Sequence, residues 1–87
     1  MNDASPLKFP TEFPVKIMGR DTEEFHSAVA AIVAAHVAAM ETLKVTRQAS
    51  SAGRFVSVTV SFTAESREQL DALYRALSDN PHVLVAL

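Results

Sequence analysis

The chain has no cysteine among its 87 residues. That excludes disulfides, thiolate metal sites, iron–sulfur clusters and cysteine nucleophiles, so stability has to come from packing. Charge of either sign in excess is lacking as well. Eight Lys and Arg stand against ten Asp and Glu, a formal charge of −2, which gives no electrostatic footprint for nucleic acid or an anionic membrane. No apolar run approaches the roughly 18 residues of a spanning helix, and the segment from Met1 to Pro6 has neither a basic leader nor an apolar stretch. A cytoplasmic location is the expectation. A chain of this length supports one domain with a modest core, burying only about 60% of its unfolded surface.

What is present is pattern. Val56, Val58, Val60 and Phe62 alternate with Ser57, Thr59, Ser61 and Thr63, the period of a strand with one dry face and one polar face. This third strand runs from Arg54 to Ala64. Ser50, Ser51, Ala52 and Gly53 close a hairpin before it, with Gly53 supplying the positive φ of a short loop. The preceding arm, Glu41 to Ala49, alternates more weakly, with Leu43, Val45, Arg47 and Ala49 on one side, and reads as an edge strand whose Lys44 discourages aggregation.

Upstream, residues 1–12 carry Pro6 and Pro10 and read as an extended arm, with Leu7 and Phe9 available for docking. Phe13 to Met18 reads as a first strand with Val15 and Ile17 inward, Pro14 at its start and Gly19 at its end. Asp21 followed by Glu24 is an N-terminal capping pattern. Phe25, Val29, Ile32, Val33 and His36 then recur at helical spacing up to about Val37. Ser66 with Gln69 repeats the capping pattern ahead of Leu70, Leu73, Tyr74 and Leu77, which predicts a second helix over 66–79. Asn80-Pro81 stops it, and His82 to Leu87 forms a last strand with Val83, Val85 and Leu87 on one parity.

The order βαββαβ predicts an α+β ferredoxin-like plait over residues 13–87: a four-stranded antiparallel sheet, strand order 4-1-3-2, with two helices on one face. Its core is expected from Val15, Ile17, Phe25, Val29, Ile32, Val45, Val56, Val58, Val60, Phe62, Leu70, Leu73, Leu77 and Val85.

Three segments carry a family resemblance: Phe9-Pro10-Thr11-Glu12-Phe13-Pro14-Val15-Lys16-Ile17-Met18-Gly19, the hairpin Ser50-Ser51-Ala52-Gly53-Arg54-Phe55-Val56-Ser57-Val58, and the terminal Val83-Leu84-Val85-Ala86-Leu87. Together they resemble the YbeD-like family of small bacterial proteins. The resemblance implies a cytosolic ferredoxin-like domain similar in shape to ACT regulatory domains, which bind amino acids at dimer interfaces. It implies no catalytic residues. The ACT-type ligand turn falls here on Met18-Gly19-Arg20-Asp21, which lacks the Asp-x-Pro-Gly character common in that turn.

Residue chemistry narrows the function further. Ser50, Ser51 and Ser57 have no histidine at a diagnostic spacing, so turn roles are expected for Ser50 and Ser51 rather than nucleophilic ones. His26 and His36 stand ten apart, which turns them away from a shared helical face and from metal ligation. His36 is expected at the core edge and His26 in solvent, and Glu23 and Glu24 as charges that complement the helix dipole. The hydroxyl row of the third strand offers nothing on which a nucleobase could stack. No enzyme, catalytic residue, metal or cofactor is expected.

One local bias remains, with five of the eight basic residues, Lys16, Arg20, Lys44, Arg47 and Arg54, on the first strand and the hairpin. It reads either as a solvated polar face or as an anion site, in which forked arginines join a nest of Ser51 to Gly53 amides. The candidate site is therefore Gly19, Arg20, Arg47, Ser50, Ser51, Gly53 and Arg54. The functional expectation is a regulatory domain that binds a small anionic metabolite such as an amino acid; the alternative is a protein–protein adaptor using the open sheet face or the hairpin. Self-association into a two-fold homodimer through Ser57, Thr59, Ser61, Met18 and Leu84 is also expected.

Overall fold

The computed structural model describes residues 7–87. In chain order it contains strand β1 (Thr11–Arg20), helix α1 (Glu23–His36), a single 3₁₀ turn (Met40–Thr42), strand β2 (Lys44–Ala49), strand β3 (Phe55–Ala64), helix α2 (Arg67–Asp79) and strand β4 (Val83–Ala86). The strands form one antiparallel sheet in the order β2-β3-β1-β4. This is the ferredoxin-like plait expected from the element order. The first six residues of the expected N-terminal arm lie outside the described residues.

β1 and β3 are the two central strands, paired in unbroken register from Thr11↔Ala64 to Arg20↔Phe55. Their inward parity is dry, with Val15, Ile17, Val56, Val58, Val60 and Phe62 all buried beneath the helices. β1 starts at Thr11, earlier than Phe13, and runs past Gly19 to Arg20. Pro14 accordingly sits inside the strand. It is tolerated because its nitrogen faces the β4 side, and β4 pairs only farther along, opposite Ile17 to Gly19.

Gly19 does not end the strand. It pairs with both Val56 and Val83, and the space a side chain would need is filled by the Phe25 ring and the His82 carbonyl. Helix α1 is capped by Thr22 rather than Asp21: Phe25 N donates to Thr22 Oγ1 at 3.1 Å, and Thr22 has the extended backbone of a cap residue. Asp21 instead stands 2.7 Å from His26 Nε2, which leaves His26 half-buried rather than in open solvent. His36 lies at the core edge as expected, and its Nδ1 donates to the Ile32 carbonyl at 2.8 Å.

The 3₁₀ turn replaces the first part of the expected edge strand. Thr42 Oγ1 donates to Ala39 O at 2.7 Å and accepts from Thr63 N at 3.1 Å, so a local side-chain bond competes successfully with the ladder. At α2 the capping box is displaced by one residue. Ser66 Oγ accepts from Gln69 N, while Gln69 Oε1 accepts from Glu65 N rather than from the cap residue's own amide.

Two expected core residues are exposed. The helix layer sits toward β4, with α2 packed on α1, β3 and β4, so Val45 on the opposite edge is 50% exposed. Val85 is displaced by a β-bulge, since Met18 pairs with Val85 but Gly19 with Val83. The intervening Leu84 is an extra residue, and its insertion reverses the parity of the strand beyond it. Val83 therefore faces the helices, and Val85, on the open side, is 40% exposed. Ile32 is half-buried against the core, whereas Val37, Ala64 and Val83 complete it.

Candidate functional site

The hairpin between β2 and β3 is held by its own backbone. Ser50 N donates to Phe55 O at 2.9 Å, Gly53 N donates to Ser50 O at 3.0 Å, and Phe55 N donates to Ser50 Oγ at 3.3 Å. Gly53 takes φ of 75°, the left-handed conformation that a glycine adopts without a steric penalty. The Gly53 amide and the Ser50 hydroxyl are thus engaged in turn closure, which accounts for both residues conformationally.

Beside this turn, the open face of the sheet carries a depression of about 550 Å³. Its floor is apolar, formed by Met18 of β1, Phe55 of β3 and Leu84 and Val85 of β4, and Lys16, Gln48, Ser50 and Ser51 stand around it. The bulge in β4 is what builds the floor, because it turns Val85 from the core to the surface beside Met18. Phe55, Leu84 and Val85 are all exposed. Arg20, directly opposite Phe55 in the register, places its guanidinium 5.4 Å from the ring centroid, a cation–π arrangement that sets the arginine beside the apolar floor.

Of the residues expected to form a site, Gly19, Ser50 and Ser51 line this depression, and Arg20 flanks it through Phe55. Arg47 and Arg54 are not brought into it. Arg47 pairs with Val58, which gives it the parity of the helix-covered face, and at the sheet edge it borders both a groove on that side and a small open-face depression with Lys16, Gln48 and Ser57. Arg54 lines neither the depression nor the groove, and its carbonyl accepts from Asp21 N at 2.9 Å. Gly53 faces open space. Phe55, which is not among the residues expected from the sequence, also lines the depression; it shares the parity of Ser57 and Thr59 and so begins the open-face row with an aromatic.

The electrostatics are lopsided. Lys16, Arg20 and Lys44 have the open-face parity of the sheet, where Glu12 opposes Lys44 at 3.9 Å in an exposed pair; Glu23, Glu24 and Glu68 occupy first turns of the helices, and Glu24 lines a small depression with Arg20 and Leu84. Among the described residues no group of three or more His, Asp or Glu is placed to hold a metal ion, and no polar or charged side chain is buried. What the open face can do chemically is bury apolar groups at its centre and meet anionic ones at its rim.

A ferredoxin-like plait with one face left open is a shape shared by many functions, and sequence comparison narrows it to one family. Residues 4–87 match the family model described as "Protein of unknown function (DUF493)", and the chain belongs to that family. It is 40% identical over 83 residues to a "UPF0250 protein" of Janthinobacterium sp., covering 95% of this chain and 91% of that one. It is likewise 40% identical over 81 residues to one from Chromobacterium violaceum, covering 93% and 91%. A relative from Nitrosomonas europaea is 36% identical over 87 residues, the full length of both. These relatives agree with the resemblance carried by the opening, hairpin and terminal segments.

Proposed function

We propose that this domain is a non-enzymatic protein-binding module whose open sheet face docks a partner with an apolar centre and an acidic rim. The observation that carries this reading is the cluster of Met18, Phe55, Leu84 and Val85, an apolar patch on an otherwise hydroxyl-bearing face, with Lys16 and Arg20 beside it. Contiguous exposed apolar surface rimmed by polar groups is what interaction sites look like. The competing reading, a pocket for a small anionic metabolite, draws support from the volume of the depression and from Lys16, Ser50 and Ser51. Small-ligand sites fix their ligand with convergent, enclosed polar groups, and no polar side chain among the described residues is buried.

Affinity capture with the wild-type chain and with Phe55→Glu, run side by side, tests the proposal. A partner retained by the first and lost by the second, with unchanged urea midpoints, is the expected result. Capture that survives Phe55→Glu sinks it. Stabilisation by an amino acid in a thermal-shift screen assigns the depression to a metabolite instead. A dimer mass by light scattering, abolished by Phe55→Glu, makes a second copy the partner.

A further inference from the structure

The second unpartnered surface lies at the opposite edge of the sheet, and its geometry does not depend on the open-face reading. β2 is an outer strand with a neighbour on one side only, and all six of its residues are exposed. The register decides which backbone groups face outward. Ser50 N bonds to Phe55 O, so Ser50↔Phe55 is a hydrogen-bonded pair; such pairs alternate along an antiparallel ladder, which makes Gln48↔Ser57, Thr46↔Thr59 and Lys44↔Ser61 the next ones. The amides and carbonyls of Val45, Arg47 and Ala49 therefore point away from the sheet, a template for one more strand.

Beside that edge, on the helix-covered side, runs a groove of about 350 Å³ between α1 and β2. Val29, Val33, Met40, Leu43 and Val45 make it apolar, and Met40 and Val45 are 45% and 50% exposed. A strand laid against β2 would send alternate side chains into this groove and the others over the open face. The strand Lys44–Ala49 carries two basic residues, Lys44 and Arg47, and no acid, so a second β2 would bring like charges together whereas an acidic strand would be complemented.

We infer that β2 and the α1–β2 groove accept, by β-strand addition, an extended segment of a partner protein that alternates apolar and acidic side chains. Backbone bonds to Val45, Arg47 and Ala49 supply the alignment, the groove takes the apolar set, and Lys44, on the open-face parity, meets the acidic set.

The test is titration of the isotope-labelled full chain with a synthetic peptide alternating Val and Glu, against a control alternating Val and Lys, monitored by amide NMR. The expected result is that the Val45, Arg47 and Ala49 amides shift and gain exchange protection with the acidic peptide, which binds at least about tenfold more tightly than the basic one. Lys44→Glu should erase that preference, and Val45→Lys, at an exposed position, should weaken binding of the acidic peptide without unfolding the domain. Equal affinity for the two peptides overturns the inference, as do shifts confined to Met18, Phe55 and Val85, or protection of β2 amides that grows with protein concentration in the absence of peptide.

Discussion

The ring of Phe25 occupies the place where a side chain on Gly19 would begin: a Cβ built there would lie 2.5 Å from Cδ1 and 2.6 Å from Cε1, with the His82 carbonyl oxygen also at 2.6 Å. The helix therefore docks on the sheet through a missing methyl group. Phe25 is fully buried and the His82 oxygen belongs to the backbone, so neither yields easily. Gly19→Ala is expected to cost about 1–3 kcal/mol by overpacking, read from urea denaturation, and Phe25→Leu in the same chain should return part of that loss. Gly53→Ala provides the contrast, for it meets nothing within 4 Å but has φ of +75°; its cost of about 1 kcal/mol is conformational and should be unaffected by Phe25→Leu. A Gly19→Ala protein as stable as wild type would show that the ring has room to move.

Two valines of the β2–β3 ladder, Val45 and Val58, separate burial from strand propensity. Val58 is 3% exposed at the centre of the sheet, while Val45, opposite Val60, is 50% exposed. Val58→Ala should cost about 1.5–3 kcal/mol through lost transfer energy and the cavity left behind, and Val45→Ala no more than about 0.5 kcal/mol. Comparable losses at both positions, measured by urea denaturation, would mean that the groove over β2 closes in solution.

The plait was legible because its signals are local and redundant: the alternation from Val56 to Phe62, the cap at Ser66 and the stop at Asn80-Pro81 each fix an element independently. The pattern misleads where one residue alters a tertiary relation. Leu84 inserts a bulge that no periodicity in a four-residue strand can reveal, and with it Val85 moves from core to surface. Asp21 and Thr22 are both competent caps; Thr22 takes the role, and the Asp21 carboxylate meets the His26 side chain instead. The candidate site was legible only in part. Ser50 and Ser51 do reach the open face beside Gly19, but proximity in sequence does not place the arginines, because Arg47 sits on the outermost strand and borders both faces while Arg54 lines neither the depression nor the groove.

Gln69 joins the two helices through one amide. Its Oε1 accepts from Glu65 N at 2.6 Å, and its Nε2 donates to His36 O at 2.8 Å, at the end of α1. Gln69→Leu removes both bonds and should cost about 1–3 kcal/mol. Gln69→Glu keeps the first bond but sets a carboxylate oxygen against the His36 carbonyl, so it too should destabilise the fold, while the Glu65 amide stays protected from hydrogen exchange. Exposure of that amide in Gln69→Glu would show that the bridge acts as a unit.

Tyr74, the only tyrosine in a chain without tryptophan, reports on the packing of α2. Its side chain is partly buried against the core, and burial raises the phenol above its ordinary value because the ionised form loses solvation. A group whose folded pKa lies above its unfolded one contributes stability that is fully present below the ordinary tyrosine value near 10 and is lost as pH rises through the folded value. Tyrosinate absorbance should therefore titrate above the free-tyrosine midpoint. Stability measured by urea should fall over the same alkaline range, more steeply in the wild type than in Tyr74→Phe, whose side chain packs alike but cannot ionise. A tyrosinate midpoint at or below the ordinary value, or identical alkaline slopes for the two proteins, would mean that the phenol is solvated and that α2 packs without it.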